Sequence, residues 1–381
     1  MRNRPSLYPC SIVASALLLL GACQGPDASF AQNDSKALNY ALPTVPTPLW
    51  PMIKDEYEHF YGANYKYRPD TAQQIAEYIR CMHQDRAGNV WFGTSSGAVR
   101  DDGKSFTYLT PKEGLAGIQV TDMAEDSHGN MWFATHGGVS MYDGTTITTY
   151  TMEQVLPFQD VFSIHVDHSG MVWAGTTQGM CRMDTRAKAQ KGQGVFTYFP
   201  LPAAVERSSE FGGTHEKVVW RIIEDRQGNL WMATNGAGLL CYDGKKVKQY
   251  TTANGLSDNF VQDLLFDNKD NLWYTTRHKG IGHFDGKSFT NLEKTADHSF
   301  DNGWCMATDF SGNIWFSEQG VGVYRYDGKT FTQFGKKDGL IQLAVQSIFQ
   351  TREGRFYFGT GAGVYNFDGE RFFNFTKNSG C

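Results

Sequence analysis

Residues 218–259 read VVWRIIEDRQGNLWMATNGAGLLCYDGKKVKQYTTANGLSDN, and this stretch decides the fold. A short apolar run ends at Asp225, a Gly-Asn turn follows, and Trp231 opens a second run. A third run ends in Tyr242, Asp243 and Gly244, and a fourth carries Val247 and Tyr250. Four short runs separated by tight turns predict a four-stranded antiparallel meander.

The unit is copied along the chain. With the turn as ruler, the copies run Asp85 to Trp91, Asp126 to Trp132, Asp167 to Trp173, Asp225 to Trp231, Asp267 to Trp273, Asp309 to Trp315 and Thr351 to Tyr357. Their spacing is 41, 41, 58, 42, 42 and 42 residues. A fixed period near 40 with four strands per unit is a propeller signature. Seven copies therefore predict an all-β chain, a seven-bladed β-propeller with four antiparallel strands per blade. Each copy also closes on a Phe-Thr-x-Tyr-like strand, from Phe106-Thr107-Tyr108 to the aromatic run at 372–375. The long interval exceeds its neighbours by about 17 residues. Those residues fall in blade three, at about 184–218: a basic turn insert containing Lys188 and Lys191, then a longer connection to blade four, on opposite faces of the disc.

The N-terminus reads as a processing signal. Arg2 and Arg4 precede a short apolar core, and Leu20-Gly21-Ala22-Cys23 closes it with small residues. The apolar stretch is too short to span a bilayer. Leu-Gly-Ala-Cys resembles the lipobox of bacterial lipoproteins, which implies lipidation at Cys23. The expected layout is a signal peptide at 1–22, a Pro-rich tether at 23–70, and the propeller at 71–381. That places the protein in the cell envelope, periplasmic or outer-membrane anchored, with the membrane met only through the lipid.

The net charge of −5, about −7 once Arg2 and Arg4 are removed, argues against a nucleic-acid partner, which would demand a basic stripe. Of seven cysteines, Cys81, Cys181, Cys241, Cys305 and Cys381 show neither metal-ligand spacing nor a Cys-x-x-Cys pair, so buried free thiols are expected. No cofactor and no metal is expected. The segment from Asp267 to Asn271 suggests a calcium loop, but the six other copies lack its acids.

The repeated residues have structural explanations. Aspartate at the turn start can accept backbone N–H groups two residues on, while Gly and Asn can supply positive φ. The repeat tryptophan can bury a large surface between blades. His83 and His165, near the far end of the inner strands, read as satisfied core residues.

The pattern Val-x-x-Ile-x-x-Asp-x-x-Gly-Asn-x-Trp-x-x-Thr-x-x-Gly-Val-x-x-Tyr-Asp-Gly resembles the two-component regulator propeller repeat over about residues 75–376. Members of that family form extracytoplasmic sensors of hybrid histidine kinases, often as two consecutive propellers. The sequence shows one propeller and no kinase segment, so the resemblance implies fold and ligand-sensing ancestry rather than signalling output. The repeat is also similar to that of streptogramin lyases. Those enzymes place a His early on an inner strand and a Glu at the end of the next, with magnesium. Five residues before the turn Asp or its equivalent, this chain has Arg80, Thr121, Phe162, Trp220, Gln262, Trp304 and Gln346, none of them His. The lyase pair is missing.

Those seven positions vary on a repeating scaffold, and so does a second ring after the strand end: Ser95, His136, Thr177, Asn235, Arg277, Glu318 and Gly361. Variation against fixed flanks is what a binding surface shows. The expected site is therefore the channel mouth, built from Arg80, His136, Phe162, Trp220, Arg221, Gln262, Arg277, Trp304 and Glu318. The expected partner is a glycan or other small molecule, or a second envelope protein, bound without chemistry. The alternative is a lyase or hydrolase with Glu318 as acid or base beside Arg277 and His136.

Overall fold

The computed structural model describes residues 75–76, 78–151, 160–185, 195–206, 217–292 and 300–375. The chain divides into two units, of which one (residues 1–67 with 210–212) lies outside the described residues, as do the expected leader and tether up to residue 70, Cys23, Cys381 and most of the blade-three insert.

Blade one consists of strands Ile79–Gln84, Val90–Thr94, Gly97–Asp101 and Phe106–Leu109, paired antiparallel in that order. Six further sheets of the same order occupy 120–150, 161–199, 219–250, 261–291, 303–334 and 345–375. This is a seven-bladed β-propeller, and its only described helices are two 3-10 turns, Thr252–Asn254 and Lys336–Asp338. The four described cysteines are free thiols, with Cys81, Cys181 and Cys305 buried.

The repeat aspartate does more than cap its turn. In six blades its second oxygen accepts the indole N–H of the repeat tryptophan, six residues on, at 2.7–3.0 Å. The repeat asparagine donates to the same oxygen from Asn89, Asn130, Asn229, Asn271 and Asn313. Positive φ therefore falls to the glycine alone (Gly88, φ 98°), or to Asp270 (φ 63°) where blade five lacks one. Asparagine is there as a donor, which corrects the expectation.

The polar clasp fixes the tryptophan, and the tryptophan fixes the blades. Trp132, 1% exposed, stacks on Tyr150 and packs with Val161, Ile164 and Val172 of blade three. Trp91 meets Phe133 and Tyr142 of blade two. An aromatic of this size buries about 150–250 Å², so each stabilises its interface by about 4–6 kcal/mol as an upper bound. Arginines from the third strand lie over three of these rings: Arg100 on Trp91, Arg182 on Trp173 and Arg325 on Trp315.

A second tie runs between blades. In blades one, two, four and seven the side chain just before the turn Asp or its equivalent accepts the first turn N–H of the preceding blade. Arg86 thus donates to Glu125 (2.9 Å), His168 to Glu224 (2.9 Å) and Phe310 to Gln350 (2.9 Å). The same device closes the ring, because Arg352 of blade seven donates its N–H to Gln84 of blade one at 2.8 Å. Each sheet uses four consecutive strands, so no strand is exchanged at this seam. Closure rests on that polar tie and on Ile79, Val90 and Phe92 packing against Tyr357, Val364 and Phe375.

Candidate channel-mouth site

The inner strands begin at the face carrying the connections between blades, and each begins with the same irregularity. The register slips between Ile79 and Cys81, Val120 and Asp122, Val161 and Ser163, Val219 and Arg221, Val261 and Asp263, Gly303 and Met306, and Val345 and Ser347. These are β-bulges, which leave a residue outside the ladder and re-aim its side chain. The extra residues include Arg80, Thr121, Phe162, Trp220, Gln262, Trp304 and Gln346, so the variable ring of the sequence is the bulge ring of the structure.

The second ring sits beside the first. The backbone N–H groups of Ser95, His136, Thr177, Asn235 and Arg277 donate to the carbonyls of Tyr78, Gln119, Asp160, Val218 and Phe260, just ahead of each inner strand. In blade six the residue in this place is Gln319, which donates to Asn302. Glu318 is one position short. It pairs with Gly303 and Gly322, as Thr94 pairs with Ile79 and Gly97 in blade one. Six blades hold threonine there, closing the turn through its hydroxyl (Thr94 to Gly97 O, 2.8 Å). Glu318 is 3% exposed and hydrogen-bonds Tyr324, whose phenol is raised by burial and by that carboxylate. It stands at the threonine position of its blade, one residue short of the ring that holds His136 and Arg277. Counting from the repeat tryptophan exposes the slip: Glu318 follows Trp315 by three residues, whereas His136 follows Trp132 by four.

Four blades contribute one continuous arc. The Gln119 amide, 3% exposed, is assigned the orientation that satisfies both neighbours: its oxygen then accepts from Arg80 Nε and Nη2 (2.7 Å) and its nitrogen donates to His136 Nδ1 at 3.1 Å. The guanidinium also lies over the Tyr78 ring, 5.2 Å from its centroid. Burial, with Arg80 adding to it, lowers His136 to about 4, so its imidazole is neutral near pH 7. With Nδ1 accepting from Gln119, the ring proton is on Nε2, which is buried and meets no hydrogen-bond partner. The His136 ring meets Phe162 edge-on at 5.4 Å, and Phe162 meets Trp220 at 4.8 Å.

Opposite features complete the rim. Gln319 Oε1 accepts from Asn302 (2.6 Å) and from the Trp304 indole (3.3 Å), and Gln262 Oε1 is buried with no hydrogen-bond partner. His278 Nδ1 lies 3.0 Å from an Asp258 oxygen that also accepts the His278 N–H. Sequence reasoning passed over this pair because Asp258 lies in a connection, 20 residues away.

Arg221 sits one residue deeper than the bulges. Its Nη1 donates to Asp122 at 3.1 Å and its Nε lies 3.4 Å from Asp263. Those carboxylates also accept the N–H groups of Ile164 and Met306 from the neighbouring blades. The Asp122–Arg221–Asp263 ion pairs therefore tie inner strands together below the mouth. Asp263 is raised by burial, which the Arg221 charge opposes. His83, expected to be satisfied, has a buried Nε2 without a hydrogen-bond partner, and burial lowers its pKa.

At the opposite face, a 450 Å³ cleft is lined by Arg86, Trp91, Arg100, Glu125 and His128. It belongs to the turn and clasp machinery of blades one and two. No group of His, Cys, Asp and Glu among the described residues is arranged to hold a metal ion.

Fold and repeats agree with known proteins. Residues 73–96, 114–137 and 213–236 match the two component regulator propeller, so the chain carries that repeat in blades one, two and four. Among solved structures it is similar to the extracellular domain of BT3049 from B. thetaiotaomicron, described as a hybrid two component system. The two are 21% identical with a TM-score of 0.61, covering 76% of this chain and 39% of that one. The corresponding domain of BT4673 from the same organism is 17% identical, with a TM-score of 0.59, covering 77% and 38%. The chain thus spans about two fifths of the length of these relatives. A streptogramin B lyase is 15% identical with a TM-score of 0.58, covering 78% of this chain and 94% of that one. By sequence, no curated protein matches significantly.

Proposed function

We propose that this chain is an exported, lipid-anchored propeller that recognises a ligand at the channel mouth and does no chemistry, a sensor-like module. One observation carries the reading. The residue re-aimed by a bulge differs in neighbouring blades on an otherwise repeated scaffold, and Arg80, Phe162 and Trp220, together with His136, form a joined polar and aromatic arc. Structural filler would repeat as the tryptophans do. The leader ending at Cys23 supports export, and the likeness to extracellular domains is consistent with it. A glycan or small metabolite fits an arc of donors beside flat rings.

The test is a thermal-shift screen of the purified chain against glycans and metabolites. A ligand at 100 times its Kd stabilises by about 2.7 kcal/mol. At least one saturable hit is expected, and a screen with none contradicts the reading. A catalytic reading draws on the Asp258–His278 pair, in which the carboxylate orients the imidazole. Turnover that survives His278→Ala would remove it.

A further inference from the structure

Arg80 and Arg221 are the same residue type a short way apart in one channel, with opposite surroundings. Arg221 is neutralised by Asp122 and Asp263. Arg80, half-buried, meets the Gln119 carbonyl and the Tyr78 ring, and among the described residues no carboxylate. A guanidinium withdrawn from water without a counter-charge is costly, and such groups are ordinarily paired. Gln119 accepts from the Nε and Nη2 of that guanidinium, which fixes its plane and, among the described residues, leaves Nη1 uncommitted. The same amide fixes the His136 ring so that Nε2, carrying the proton, is a second unanswered donor. One buried glutamine thus holds two donors of a single site, and among the described residues neither meets an acceptor. Beside them stand the rings of Phe162 and Trp220.

We infer that the mouth binds its ligand by a carboxylate, seated between the Arg80 guanidinium and the His136 Nε2–H, with a flat face of the same molecule against Phe162 and Trp220. A planar carboxylate matches the guanidinium fork, and charge-assisted bonds to it are the strong ones. The inference deepens the reading of the mouth as a ligand site and rests on it. A carboxylate beside a flat face can come from an aromatic acid or from an acidic sugar, and the probes separate these sources.

The experiment is ligand-observed and protein-observed NMR on the full chain with two matched series. Phenylacetate is set against phenylacetamide, and glucuronate against glucuronamide. In at least one series the acid should bind about tenfold or more tightly than its amide. Whichever acid is preferred identifies the source. The preferred acid, and not its amide, should shift the His136 imidazole resonances. Arg80→Gln should bring the acid down to the level of the amide.

The measurement on the unsubstituted chain stands even if that variant folds poorly. Equal binding of acid and amide, or acid binding that leaves His136 unmoved, would overturn the carboxylate seat while leaving the mouth a ligand site. Neither series binding, while a screened neutral ligand does, would have the same meaning. Absence of any binder in either experiment would overturn both.

Discussion

At the scale of single residues, the repeat aspartate joins the turn, its asparagine and the inter-blade tryptophan. Asp126 accepts from the His128 and Asn130 backbones, the Asn130 amide and the Trp132 indole. Burial would raise its pKa, but those hydrogen bonds outweigh burial and hold it below the usual range. Asp126→Ala strands the indole N–H in the blade two–three interface. It should cost about 2–3 kcal/mol in denaturant unfolding, and a cost below 1 would refute the clasp. Both residues were plain in the sequence as repeats. Their bond was not, because a six-residue separation names no contact until the turn geometry is known.

Glu224 adds a pH-dependent tie. Burial would raise its pKa, but hydrogen bonds from His165, from the His168 ring and from the His168 N–H hold it at about 2. His168 is correspondingly raised by the bond to Glu224 and by its charge. The depressed carboxylate stabilises above its unfolded value of about 4.3, and that contribution fades as pH falls towards 2. The raised imidazole stabilises fully below its unfolded value of about 6.5, and that contribution is lost as pH rises through the folded value. The tie is therefore strongest between pH of about 4.5 and 6.5. His168→Gln should flatten the decline in stability above pH of about 6.5, as followed by thermal unfolding across pH. An unchanged pH profile would count against the pair.

At the scale of elements, strands and turns were legible and bulges were not. Apolar runs, glycines and the Tyr-Asp-Gly turns gave four strands per blade because their signals are local. A bulge is a property of two strands together, and nothing in Val219-Trp220-Arg221 distinguishes it from regular pairing. The variable positions were nonetheless found, since variation on a repeat marks them without geometry. Glu318 went astray for a related reason. Blade six alone replaces the turn-closing threonine, so its strand end must be counted from Trp315 rather than recognised. The seam between blades one and seven is also an element-level feature. Gln84 accepts from Arg352 and donates to Glu353. Gln84→Ala should lower local stability at the seam by about 1–2 kcal/mol. Hydrogen exchange should then quicken in the inner strands of blades one and seven before the rest, and a uniform change would contradict this closure.

At the scale of the whole molecule, seven repeats set the architecture, and the departures from repetition set what it can bind. The ion pairs of Arg221 tie inner strands below the mouth, while Arg80, His136, Phe162 and Trp220 converge above them. That division could not be read from the sequence, where Trp220 and Arg221 are adjacent and both vary. It follows from the bulge, which sends one to the rim and the other to Asp122 and Asp263. The central claim is that the rim is the binding surface. Its most direct test is calorimetric titration of a screened ligand into the chain, into Phe162→Ala/Trp220→Ala, and into Arg100→Ala on the opposite face. Binding should be lost in the first variant and kept in the second. Undiminished binding by Phe162→Ala/Trp220→Ala would contradict that claim.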